Sequence, residues 1–173
     1  MGLAVFSGDK LVGELNAIEC ICYLILKSSL ESCNISIPNP FENNSTINVK
    51  LELDKKTKNE ITLVNGSPFI ESKIHLNGSI TSISLNSDYS KIEHLNTIED
   101  YVESYIKSNI STFLYKTAKY LKSDIIGFGQ EIIHEYLTID EWKKVKWTSL
   151  YKNSFFNIDV NVTIKSGSLF VRN

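Results

Sequence analysis

Three histidines, three cysteines and a scatter of carboxylates are the side chains that could do chemistry in this 173-residue chain, and their spacing argues against most of it. His75, His94 and His134 fall on different predicted elements. None sits in an H-E-x-x-H arrangement or at ligand spacing from a cysteine, so the sequence assembles no zinc site. Cys20, Cys22 and Cys33 match neither a zinc ribbon nor a redox C-x-x-C, and three cannot all pair internally. They read as reduced thiols in or near a core. Neither a G-x-S-x-G elbow nor a Walker loop occurs. Glu131 with Glu135, and Asp140 with Glu141, lie on helical patterns where a solvated face is the default. The glycines of Gly127-Phe128-Gly129 could let backbone N–H groups approach an anion, but a tight corner whose Phe128 enters the core is the simpler reading. The stretch EWKKVKW interleaves lysines with Trp142 and Trp147, a pattern that can serve nucleic acid or a membrane surface. Eighteen basic against 20 acidic residues argue against both, and Trp142 is expected inward with the lysines outward. The expectation is therefore a chain with no catalytic residue, cofactor, metal or nucleic-acid partner, and a role in binding or scaffolding.

The elements that would position these residues follow from periodicity. Leu3 to Phe6, the turn residues SGDK, and Leu11-Val12 predict a hairpin. Leu15, Ile18, Cys22, Ile25 and Leu26 recur at helical spacing and predict a helix from about Asn16 to Lys27. Ile35 and Ile37, then Ile47, Val49, Leu51 and Leu53, then Ile61 and Leu63, then Ile74, Leu76 and Ile80 alternate with polar residues, which predicts antiparallel strands with one wet face. Between Phe69 and Leu85 the alternation slips by one residue, so a bulge is expected near Thr81-Ser82. Asn96 with Glu99 reads as an N-cap, and the apolar series from Ile98 to Leu121 predicts a helix from about Thr97 to Lys122. In that reading Glu99, Asp100 and Glu103 complement its macrodipole. Two shorter helical stretches follow, the first through Ile132, Ile133 and Tyr136, the second opening near Thr138-Asp140. Phe156 to Ile164 alternate as a strand of central-sheet quality. The prediction is one α+β domain over residues 1–173, a mainly antiparallel or mixed sheet with one long helix and shorter helices packed on one face. The longest apolar stretch, Leu15 to Leu26, is too short and too interrupted to span a membrane, no secretory signal opens the chain, and the abrupt apolar start reads as a domain edge.

Three segments, in order, carry a family resemblance. The opening GLAVFSGDKLVGELN presents Gly2 to Phe6, Asp9 to Gly13 and Leu15; SDIIGFGQEIIHEY presents Asp124, Ile125, Gly127, Phe128 and Gly129, followed by the Glu141-Trp142-Lys143-Lys144 run; NIDVNVTIKSG closes on Gly167. Together they resemble the C-terminal domain of the Ger(x)C proteins, the lipoprotein C subunits of bacterial spore germinant receptors. Glu14 stands where members often carry Trp, and Trp147 arrives earlier than the family's second Trp.

What the resemblance implies is a domain of a longer lipoprotein. The parent would be tethered by an N-terminal lipid, absent from this stretch, to the outer face of the spore inner membrane. It would act with two integral membrane subunits, and with other domains of its own chain, in the response to nutrient germinants. No reaction and no cofactor are implied. Gly2, Asp9, Gly13, Asp124, Gly127, Phe128, Gly129 and Trp142 are the family-motif positions, expected to be structural or to lie at an interface. Direct binding of a small germinant is the alternative function.

Overall fold

Apolar residues at every second position can be buried only if the strands share one inward face, and a computed structural model describing residues 2–83 and 92–165 has that arrangement. Strand β1 (Leu3–Ser7) and β2 (Lys10–Leu15) form a separate two-stranded hairpin. Helix α1 (Ala17–Leu26) follows, opened by a capping box in which Asn16 Oδ1 accepts from Glu19 N (2.9 Å) and Glu19 Oε2 from Asn16 N (2.8 Å). The main sheet then begins with β3 (Cys33–Pro38), β4 (Thr46–Leu53), β5 (Lys58–Val64) and the 17-residue β6 (Ser67–Ile83).

Strand β6 is the axis. Both β4 and β5 pair antiparallel with it, end to end along one edge, with residues 54–57 as a break between them. Asn65 and Gly66 join β5 to β6, both at positive φ (51° and 78°), the backbone a two-residue hairpin of this hand requires. Strand β3 lies outside β4, and β7 (Phe155–Ile164) runs parallel to β6 on its other edge, from Phe69↔Phe155 to Gly78↔Ile164. The sheet is thus mixed. Val49 pairs with Ile80 and Asn48 with Ser82, leaving Thr81 as the extra residue, where the sequence phase slips. Leu85 and Gly167 lie outside the described residues.

The long helix differs from its sequence reading at both ends. Helix α2 (Ile92–Tyr115) is already helical at Ile92, so Asn96 is an exposed interior residue and not the N-cap. At the other end it widens into a π-helical segment, Lys116–Leu121, which stops at Lys122 in the left-handed region (φ 52°). There Thr117 Oγ1 donates to the Leu114 carbonyl (2.7 Å), a side-chain bond that competes with the regular backbone ladder. Ile98, Val102, Ile106, Ile110, Phe113, Leu114 and Ala118 are buried in the common core. Helix α3 (Phe128–Ile132), with its 3₁₀ extension Ile133–Glu135, α4 (Ile139–Val145) and α5 (Trp147–Tyr151) complete the crossover to β7.

Strand β7 is not central: among the described residues it pairs only with β6. Its outer edge is closed instead by α2. Glu103 Oε1 accepts from Val162 N (2.9 Å) and Glu99 Oε1 from Ile164 N (2.7 Å), so these carboxylates serve a strand edge and not a helix start. An edge N–H left unpaired beneath a helix would cost about 1–3 kcal/mol, and the strand's apolar alternation comes from burial of Ile158, Val160, Val162 and Ile164 in the core.

Candidate functional site

The corner after the π-helical segment gathers most of the motif residues. Lys122 reverses the chain and Gly127 turns it again at φ 86°, so that Asp124 faces the opening of α3. A helix start leaves backbone donors without partners. Asp124 takes three of them: Oδ1 accepts from Gly127 N (2.9 Å) and Phe128 N (3.1 Å), Oδ2 from Gly129 N (2.8 Å). The indole Nε1 of Trp147 donates to Oδ2 as well, at 2.8 Å. Four donors match the roughly four lone-pair sites a carboxylate offers. A carboxylate so occupied holds the corner together and has no lone pair free for a substrate proton.

Gly129 is required by proximity. A Cβ there would lie 2.6 Å from Trp147 Cδ1 and Nε1, so the indole occupies the space that a side chain would need. Phe128 points into the core and is fully buried. Rings extend from it in series: Phe128 to Tyr151 (centroids 6.4 Å), Tyr151 to Trp147 (6.2 Å), Trp147 to Trp142 (6.1 Å) and Trp142 to Tyr136 (5.5 Å). Since the Thr117 hydroxyl proton goes to Leu114, the Tyr151 hydroxyl donates to Thr117 Oγ1 at 2.7 Å. Burial raises the Tyr151 phenol above its usual range, so it stays protonated. Lys27 Nζ reaches the Ile126 carbonyl (3.1 Å) and ties the end of α1 to the same corner.

The opening motif abuts this corner through the π-helical segment. Gly13 meets Leu121, whose Cδ2 would stand 2.5 Å from an added Cβ. Lys116 Nζ contacts the Glu14 carbonyl (3.0 Å) and the Glu19 carboxylate (2.7 and 2.8 Å). Gly2 backs onto the Leu15 carbonyl, 2.8 Å from a notional Cβ. Asp9 stands apart, exposed in the hairpin turn. A cavity of about 280 Å³ lies where the two motifs meet, with Ser7 from β1 on one side and Asp124, Gln130, Trp142 and Trp147 on the other. Trp142 is half-buried against its neighbours.

Sequence reasoning missed Trp147, Tyr151 and Thr117 as members of this site. The i, i+4 spacing of Trp147 and Tyr151 was the available signal; nothing local marks Thr117. The histidines do not converge. His94 packs at a tilt against Phe41 (ring centroids 4.6 Å), His75 lies on the wet face of the sheet and His134 is exposed. Among the described residues no group of three His, Cys, Asp or Glu could hold a metal ion, and no helix is long and apolar enough to cross a membrane.

Comparison with known proteins gives two matches. The family described as spore germination B3/GerAC-like, C-terminal, matches residues 1–167. The crystal structure of the GerBC protein has the same fold, with a TM-score of 0.74 at 20% identity, over 94% of this chain and 50% of that one. This chain therefore spans half the length of that protein. No curated protein matches.

Proposed function

We propose, from the premise that the chain belongs to the spore germination B3/GerAC-like C-terminal family, that it is a non-enzymatic interaction module of a germinant receptor C subunit. The observation that carries this reading is the contrast at the motif site. The Asp124 carboxylate and the Tyr151 hydroxyl are engaged internally, while Phe6 and Leu11, cross-strand partners on the adjoining hairpin, stand 58% and 56% exposed. Exposed apolar side chains paired across a hairpin mark a contact surface more often than a catalytic one. The contacts would be the two integral membrane subunits and other domains of the same chain. In this reading residues 1–173 are one α+β domain of a longer lipoprotein, held by an N-terminal lipid at the outer face of the spore inner membrane. The single apolar core that joins the described elements supports treating them as one unit.

The test is co-purification of the full-length subunit with its membrane partners, and germination of the spores, after Phe6→Asp with Leu11→Asp. Loss of assembly with the domain still folded is the expected result; unchanged assembly and germination overturn the reading. Germinant binding is the competing function, favoured by the cavity beside Trp142 and Trp147. Calorimetry with amino acids, sugars and nucleosides separates the two. Saturable heat abolished by Trp142→Ala would replace the interaction reading with the sensing one.

A further inference from the structure

The break between β4 and β5 gathers charge in a way the motif site does not explain. Four residues, 54–57, stand opposite only Ile74 and His75 of β6, because Leu53 pairs with Leu76 and Lys58 with Lys73. The surplus chain is pinned at both ends. Asp54 N donates to the His75 carbonyl (3.0 Å) and Asp54 Oδ1 accepts from Asn77 Nδ2 (2.7 Å). At the other end, Thr57 N donates to Ser28 Oγ (2.9 Å) and Thr57 Oγ1 to the Ile25 carbonyl (2.7 Å). Between these anchors Lys55 and Lys56 project from a fixed base.

Those two lysines join Lys58, Lys73 and His75 around an open concavity of about 500 Å³, and no carboxylate lines it. Lys58 and Lys73 are direct cross-strand partners, an arrangement of like charges that destabilises a sheet. The next outward pair is Glu60↔Glu71, so charge is segregated along the strands and not alternated across them. The nearby carboxylates are engaged or displaced. Asp54 is held by Asn77, Glu60 by Lys58 (2.6 Å) and Glu71 by Asn157 (2.9 Å), while Asp159 neighbours Lys73 in the β7 register without an ion pair. Lys55, Lys56 and Lys73 enter no salt bridge among the described residues. In a chain of net charge −2, this is a local excess of unpaired cations on a pinned loop.

We propose that this break is a binding site for a multivalent oxyanion, a group bearing two or more phosphate or carboxylate charges. Ammonium groups on flexible stems, converging from a loop and two strands, recognise such a ligand as point charges and do not need one fixed shape. Both a free polyanion and a lipid headgroup carrying two phosphates present this chemistry.

Inorganic pyrophosphate is the probe for the free form, titrated at low ionic strength and followed by melting temperature and calorimetry. Vesicles of phosphatidylcholine with cardiolipin, whose headgroup carries two phosphates, against phosphatidylcholine alone, probe the headgroup form by sedimentation. Saturable pyrophosphate binding weakened about tenfold or more in Lys55→Gln/Lys56→Gln/Lys73→Gln, a loss of roughly 1.4 kcal/mol, is expected. Lys55→Arg/Lys56→Arg should retain it. Vesicle binding that pyrophosphate displaces would assign the same site to a headgroup. Absence of binding to either probe, or equal weakening by Lys10→Gln/Lys107→Gln/Lys144→Gln, overturns the proposal.

Discussion

The Asp124 corner and the wet face of the sheet use their polar groups in opposite ways. At the corner Asp124 meets four donors inside the protein, and a misplaced atom meets an indole ring. On the sheet, Lys50 with Glu52 and Lys58 with Glu60 lie at 2.6 Å, yet their side chains are open to water, where an ion pair adds little to stability. The corner is thus a place where substitution damages the fold, and the sheet face one where it changes only what the surface can attract. Motif residues concentrated at the first and absent from the second need not mark a binding site.

That contrast can be broken by experiment, and the largest effect should come from the corner. Phe128→Ala removes a fully buried ring and should cost about 3–5 kcal/mol in urea unfolding; a loss no greater than a surface substitution causes would mean that the corner is not part of the core. Asp124→Ala strands three backbone donors and the Trp147 N–H, and about 2–4 kcal/mol should be lost. Trp147→Phe in that background then adds less than it does alone, because the shared hydrogen bond is already gone. Thr117→Val takes away the acceptor for Tyr151 and is expected to cost about 1–2 kcal/mol.

A pH series sharpens the same distinction. Burial pushes the Cys22 thiol from its usual 9.0 up to about 12 and Cys33 up to about 11. Below the usual value, thiols are protonated in both folded and unfolded chains and contribute no slope. Above it, the unfolded chain releases protons that the folded chain retains, so stability falls as pH rises through the window from 9.0 to about 12. Urea midpoints should therefore drop on the alkaline side, and a Cys22→Ala variant should drop less. The smallest effect belongs to the sheet face: Glu52→Gln should leave the melting temperature unchanged, and a clear loss would show that its surface pairs matter more than their exposure suggests.

How much of this could be read beforehand depended on whether the cause was local. The hairpin, the helix from Asn16, the one-sided strands and the irregularity at Thr81 follow from neighbouring side chains and were legible. Asn96 misled because an N-cap signature is only a side-chain pattern, and the helix continues through it. The edge position of β7 was hidden because Glu99 and Glu103 supply the partners that a second strand would have supplied. Within the candidate site, Gly127-Phe128-Gly129 announced a corner, but the need for Gly129 lies in Trp147, which reaches it through three-dimensional packing.

Both tryptophans of the chain, Trp142 and Trp147, lie in that one corner with their ring centroids 6.1 Å apart. The long-wavelength ultraviolet emission of the whole molecule is therefore a report from a single place, while far-ultraviolet dichroism averages over every helix and strand. A partner or ligand that loosens the corner without unfolding the sheet would separate the two optical transitions, and a domain that melts as one unit would keep them coincident.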